Sequence, residues 1–205
     1  MDGKILITGT GRSGTTAFFQ LLSALGMDTA IESLYYNQGV NAGYEYTHDL
    51  TASYAPQVIK DPRLTTQIPS LLKAGLDISI VFVMVRDLDS AVQSRLKNGI
   101  VWADHSLPEL GGDIEISDKG TSQLVFNQRI LSTLFVDLTL NSVPFLPLAF
   151  PRFINDRDYL YAKLCAVPLV NKEGRHPCRG RFAMFNLICD KVFDPQLVHH
   201  KQEKD

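Results

Sequence analysis

Hydrophobic and polar positions along the chain follow two different periods. Short continuous apolar runs, such as residues 5–7 and 80–85, are typical of strands buried on both faces. Apolar residues at helical spacing, as between 124 and 135, are typical of helices packed on such a sheet. Strands that alternate with helices indicate a parallel sheet with helices on both faces, so the sequence predicts an α/β fold.

The same patterns predict where the elements begin and end. Strands are predicted at Lys4–Thr8, Thr29–Glu32, Gln57–Lys60, Ile78–Val85 and Phe145–Phe150. Helices are predicted at Gly14–Leu25, from Asp61 to near Gly75, at Leu88–Lys97 and Thr121–Leu140, from Asn155 or Asp156 through Leu164, and at Phe182–Val192. Pro147 places the last strand at a sheet edge or a strand end. A chain of 205 residues accommodates one such domain, predicted over 1–198, with a solvated tail over 199–205.

Composition and charge exclude several function classes. The net charge of −2 gives no global attraction to nucleic acid or to an anionic membrane. No segment approaches the roughly 20 apolar residues of a membrane span, and a strand is predicted from Lys4, where a signal peptide would lie. We therefore expect a cytoplasmic protein. The three cysteines have no metal-ligand spacing and are expected to be free thiols, and the oligomeric state stays open.

The first predicted strand leads into a glycine-rich loop, residues 9–16, which opens the first helix. Consecutive backbone N–H groups and the positive end of the helix dipole make such a loop a phosphate site. The positions of Gly9, Gly14 and Thr16 match the nucleotide-triphosphate loop. Thr15, however, stands where that loop needs a lysine, and the cation lies three residues earlier, at Arg12.

With this substitution, Gly11–Thr16 resembles the 5′-phosphosulfate loop of sulfotransferases that use 3′-phosphoadenosine 5′-phosphosulfate (PAPS). Arg86 at the end of a strand and Ser94 eight residues later resemble the pair that holds the 3′-phosphate in that family. Lys60–Arg63 resembles the lysine-containing segment of protein-tyrosine and Golgi-type sulfotransferases. The resemblance, which extends to bacterial sulfotransferases, covers Lys4–Leu96.

The resemblance implies transfer of a sulfuryl group from PAPS to a hydroxyl, or less commonly an amine, of a small molecule, sugar or peptide. Lys60 and Arg12 would stabilise charge on the leaving phosphate. No metal is expected, because this transfer carries less charge than phosphoryl transfer. The implied nucleotide-binding residues are Gly11, Arg12, Ser13, Gly14, Thr15, Thr16, Arg86 and Ser94.

Two residues are candidates for the catalytic base. Glu32 lies at about the interval where protein-tyrosine sulfotransferases place a glutamate, and His48 is the rival because many cytosolic sulfotransferases use a histidine. Aromatic side chains with hydroxyls around these positions suit an acceptor such as a sugar or a phenol. They are Tyr35, Tyr36, Tyr44, Tyr46 and Tyr54.

Two other functions remain open from the sequence. One is a nucleoside or small-molecule kinase, against which stand the missing loop lysine and the lack of a clear Mg²⁺ ligand other than Asp87. The other is a non-catalytic nucleotide-binding relative that has lost its acceptor-binding half.

Overall fold

The computed structural model describes residues 3–31, 36–37, 45–46, 48–97 and 119–193. The strands within these ranges are β1 (Lys4–Gly9), β2 (Tyr36–Asn37), β3 (Glu45–Tyr46), β4 (Val58–Lys60), β5 (Ile78–Arg86) and β6 (Phe145–Phe150). Four of them form a parallel sheet in the order β4-β1-β5-β6, and β2 pairs with β3 in an antiparallel ladder. The parallel direction of these four strands matches the prediction.

Helices precede or follow the strands of the parallel sheet. They are α1 (Thr15–Ala24), α2 (Ile68–Lys73), α3 (Leu88–Lys97), α4 (Lys119–Leu140), α5 (Arg152–Asn155), α6 (Arg157–Cys165) and α7 (Phe182–Val192), with a 3₁₀ helix at Pro62–Thr66. The predicted bounds of α3, α7 and β6 are confirmed to the residue. Asp156 caps α6 as expected, because its side chain accepts a hydrogen bond from the backbone N–H of Tyr159.

The central strands are covered on both faces. Phe82 of β5 packs on Phe18 of α1, with ring centroids 4.9 Å apart. Its partner in the register is Leu146 of β6, and the preceding residue, Phe145, packs on Phe135 of α4 with centroids 5.6 Å apart. Because successive side chains of a strand point to opposite faces, α1 and α4 lie on opposite sides of the sheet. This arrangement confirms the α/β class.

The strand predicted at Thr29–Glu32 is wrong. Residues 28–30 have no strand conformation, and Ala30 has a φ of +45°, which interrupts an extended chain. The carbonyl of Asp28 accepts a hydrogen bond from the N–H of Val58 at 2.8 Å, but residues 28–30 do not form a strand paired with β4. Glu32 itself lies outside the described residues.

The helix predicted from Asp61 to near Gly75 is divided in two. Asp61 caps its start by accepting a hydrogen bond from the N–H of Arg63. The chain then forms the 3₁₀ helix and, after Gln67, the separate helix α2. Pro69 has no N–H to donate to the carbonyl of Thr65, so a continuous α-helix is interrupted at this point.

Candidate functional site at the carboxyl edge of the sheet

The carboxyl ends of the four parallel strands bring the predicted motifs to one edge. In the register, Lys60 at the end of β4 lies beside Ile7 of β1, and Arg86 at the end of β5 lies beside Phe150 of β6. Gly9, the last residue of β1, lies beside Met84 of β5. Open α/β sheets bind ligands at this edge. The glycine loop therefore lies between Lys60 on one side and Arg86 on the other.

The glycine loop has the backbone conformation of an anion cradle. Gly11 and Arg12 are both left-handed, with φ of +69° and +54°. Successive N–H groups of such turns line a concavity that favours anions. A left-handed arginine is strained by on the order of 1–3 kcal/mol, and such strain is concentrated at functional sites.

Gly14 joins the loop to α1. Its φ is +85°, and a Cβ there would lie 2.5 Å from Cδ2 of Phe150 and 2.8 Å from Cζ of Phe153. Gly14 also occupies the N-cap position, where it has no side chain to cap the helix, and the first turn of α1 carries no acidic residue. The positive end of the α1 dipole thus faces the loop without a carboxylate to offset it.

Two hydroxyls of the loop are buried without a hydrogen-bond partner, Oγ1 of Thr10 and Oγ of Ser13. A buried donor without a partner costs about 1–3 kcal/mol. An anionic ligand seated on the loop supplies acceptors for such donors. The donor set of this loop therefore fits a phosphate group, or the phosphosulfate group that the resemblance implies.

The loop and the second motif form one hydrogen-bonded cluster. Nη1 of Arg86 donates to the carbonyl of Arg12 at 2.9 Å, and Nε of Arg12 donates to Oγ of Ser94 at 3.3 Å. The guanidinium of Arg86 also lies 5.1 Å from the centre of the Phe150 ring. The structure thus brings Arg12, Arg86 and Ser94 together, with Arg12 bonded to both of the others.

Arg95 is a further cation that the sequence analysis missed. Its side chain is only 2% exposed, and a Cβ on Gly11 would lie 2.7 Å from its Nη2. Burial, together with the charge of Arg12, lowers the pKa of Arg95 to about 10. Its spacing in the sequence could have indicated that it is buried. Arg95 lies four residues after Ala91 and three after Val92, so all three side chains share the buried face of α3. Arg12, Arg86 and Arg95 give the loop a strongly positive environment.

Lys60 lies in a buried ion pair on the other side of the loop. Its side chain is fully buried, and its Nζ lies 2.7 Å from Oε1 of Glu45, whose side chain is 15% exposed. Burial lowers the pKa of Lys60, while the charges of Glu45 and Asp61 act in the opposite direction. Oε2 of Glu45 is buried and has no hydrogen-bond partner. Glu45 was not predicted, because nothing near it in the sequence indicates that β3 places it on Lys60.

The two predicted bases have different outcomes. Glu32 lies outside the described residues. His48 is exposed, with its ring centroid 5.9 Å from that of the buried Tyr46. Of the other predicted acceptor-site tyrosines, Tyr54 is exposed.

The residues that the structure describes also bear on metal sites, thiol chemistry and membrane-spanning helices. These residues contain no cluster of three His, Cys, Asp or Glu side chains that could hold a metal ion. All three cysteines are free, and burial raises the pKa of Cys178 to about 12 and that of Cys189 to about 11. Across the described ranges, none of the helices is both long and apolar enough to cross a membrane.

Comparison of the chain with models of known protein families and with curated proteins gives no match.

Proposed function

We propose that this protein is a PAPS-dependent sulfotransferase that acts on a hydroxyl group. The observation that carries the proposal is the pair of hydrogen bonds that joins Arg12 of the glycine loop to Ser94 and Arg86. In the family that the motifs resemble, these positions hold the 5′-phosphosulfate and the 3′-phosphate of one nucleotide. A ligand with anions at both ends fits cations that converge from the loop and from the end of the neighbouring strand β5.

The residues of the site have distinct roles in this proposal. The loop N–H groups, the hydroxyls of Thr10 and Ser13, and Arg12 hold the 5′-phosphosulfate. Arg86 and Ser94 hold the 3′-phosphate. The bound donor supplies a sulfuryl group on a good leaving phosphate, and Lys60 stabilises the negative charge that develops on that phosphate.

A kinase receives less support from the same site. The loop has Thr15 in place of the lysine that reaches the terminal phosphates of ATP. Asp87, the candidate Mg²⁺ ligand, accepts a hydrogen bond from the N–H of Ser90 at 2.8 Å. This bond commits one oxygen of Asp87 to the start of α3.

Titration calorimetry with adenosine 3′,5′-bisphosphate (PAP), 5′-AMP and ATP with Mg²⁺ tests the proposal. We expect PAP to bind without Mg²⁺ and more tightly than 5′-AMP. Arg86→Ala should weaken PAP binding by about 1.5–3 kcal/mol, the value of a hydrogen bond to a charged group. It should affect 5′-AMP less, because 5′-AMP would lose only the support that Arg86 gives to the loop carbonyl of Arg12. Equal affinity for PAP and 5′-AMP would contradict the assignment of Arg86 and Ser94 to a 3′-phosphate site. Binding of ATP with Mg²⁺, without binding of PAP, would favour a kinase.

A further inference from the structure

We propose that Glu45 is the base that accepts the proton of the acceptor hydroxyl, and that it acts together with Lys60 as one buried pair. The inference rests on the proposed function, since it names a residue for that reaction. It replaces Glu32 and His48 as the candidate base.

The first argument is the position of Glu45. Its strand β3 lies against β4, and Oε1 is bonded to Lys60 at the carboxyl edge of the sheet, next to β1 and the glycine loop. A base must lie within hydrogen-bond reach of the proton that it removes. We place Lys60 on the transferring group, and the ion pair with Lys60 therefore brings the carboxylate of Glu45 close to the reacting atoms.

The second argument is the state of its two oxygens. Oε1 accepts the hydrogen bond from Lys60, whereas Oε2 is buried without a partner. Asp61, the other carboxylate whose charge acts on Lys60, accepts hydrogen bonds from Arg63 with both of its oxygens. Between these two carboxylates, Glu45 is thus the one with an oxygen available to a hydroxyl donor.

The third argument is the chemistry that the pair supports. The acceptor oxygen forms a bond to sulfur while the bond between sulfur and the oxygen of the 5′-phosphate breaks. The electron pair of the broken bond stays on the phosphate, next to Lys60, and the proton of the acceptor passes to Oε2 of Glu45. A carboxylate whose cationic partner turns toward another anion holds a proton more readily, so both halves of the pair favour the same step.

The test compares Glu45→Gln with Asp61→Asn. Glutamine keeps an oxygen for Lys60 but replaces the basic atom, and Asp61→Asn removes an equal charge near Lys60 without removing the proposed base. We would measure transfer of ³⁵S from labelled PAPS to a panel of phenols and simple sugars, PAP affinity by calorimetry, and thermal unfolding. Glu45→Gln should lose about 10²–10⁴-fold in turnover. Its PAP affinity should stay close to that of the original protein, and its unfolding temperature should fall because Lys60 loses the charge of its buried partner. Asp61→Asn should lose far less turnover.

The outcomes separate this inference from the function on which it rests. If the unaltered protein does not bind PAP, the proposed function falls and the inference with it. If it binds PAP and transfers sulfate, and Glu45→Gln transfers equally well, only the inference falls, and loss of transfer in Glu32→Gln or His48→Ala then identifies the base. Should Glu45→Gln fail to fold, Glu45→Asp carries the test, because its shorter carboxylate still pairs with a cation. Unchanged turnover in that variant would overturn the assignment, and a loss at unchanged PAP affinity would support it.

Discussion

The cation at the amino end of the parallel sheet is held differently from the cations around the glycine loop. At the amino end, the half-buried Lys4 donates hydrogen bonds to the carbonyls of Ala55 and Pro56. Burial lowers the pKa of Lys4, but the charge of Asp28 acts against that shift. At this end a cation is matched by acceptors of the fold itself.

At the carboxyl end, Lys60 is likewise paired with Glu45, but the cations around the glycine loop show the opposite electrostatics. Burial lowers the pKa of Arg95, and the charge of Arg12 lowers it further, so two causes disfavour the protonated side chain. The start of α1 adds its positive dipole to the same place. Cations that lie close together repel each other, which lowers the stability of the ligand-free protein and raises its affinity for an anion. The comparison thus separates a region that stabilises the fold from one that is arranged for binding.

The largest effect is expected where the loop meets the core. Gly14→Ala should destabilise the protein by about 2–5 kcal/mol, because a left-handed non-glycine residue and an overpacked contact with Phe150 both cost energy. Chemical denaturation measures the change. Gly180→Ala is the matched control, since Gly180 has a φ of +71° but nothing within 4 Å of its Cβ position. An equal loss in both variants would show that contact with Phe150 adds nothing.

Lys60→Met should mainly affect catalysis. Removing a charge that stabilises the developing negative charge typically costs about 10²–10³-fold in turnover. PAP affinity, measured by calorimetry, should change much less, because the lysine acts on the transferring group. Lys73→Met, at an exposed position on α2, serves as the control. Normal turnover in Lys60→Met would exclude Lys60 from the mechanism.

Arg95→Met tests directly whether the cations around the glycine loop serve anion binding and not stability. We expect PAP binding to weaken by about 1.5–3 kcal/mol, with no loss of stability in the ligand-free protein. The pKa of Arg95, lowered to about 10 by burial and by the charge of Arg12, lies below its value in the unfolded chain, so its charge opposes folding at neutral pH. This penalty decreases as the pH rises above about 10.

The matched control for Arg95→Met is Arg129→Met, at an exposed position on α4. Calorimetry and chemical denaturation would be run on both variants. If Arg95→Met binds PAP as the unaltered protein does, Arg95 supports the loop structurally and is not part of the anion site.

The smallest effect is expected at the amino end. Lys4→Met should cost about 0.5–1.5 kcal/mol of stability, the net value of a typical hydrogen bond, and should leave PAP affinity unchanged. Denaturation and calorimetry on the same sample measure both quantities. A clear loss of PAP affinity would contradict the separation between the two ends of the sheet.

Sequence patterns predicted the parts of the fold that depend on local periodicity and capping. The bounds of α3 and α7 follow from helical apolar spacing, and Asp156 acts as the predicted cap of α6. The strand predicted at Thr29–Glu32 was wrong because four residues with only two apolar positions are a weak signal, and Ala30 has a left-handed conformation that interrupts an extended chain.

The site was predictable where its residues lie in one motif. The glycine loop is contiguous, and Arg86 lies at a recognisable strand end. Glu45 meets Lys60 only through the pairing of distant segments, which no local pattern encodes. Arg95 could have been found as a cation on the buried side of α3, but spacing alone does not show that this side faces the loop.

The hydrogen bond from Arg86 to the carbonyl of Arg12 has a consequence for the preorganisation of the loop. In a trans peptide the carbonyl and the next N–H point in opposite directions, so this bond aims the N–H of Ser13 away from Arg86. A loop held in this way does not have to select among peptide orientations when an anion arrives. Arg86 then contributes to affinity twice, once through its charge and once by fixing a neighbouring peptide before the ligand binds.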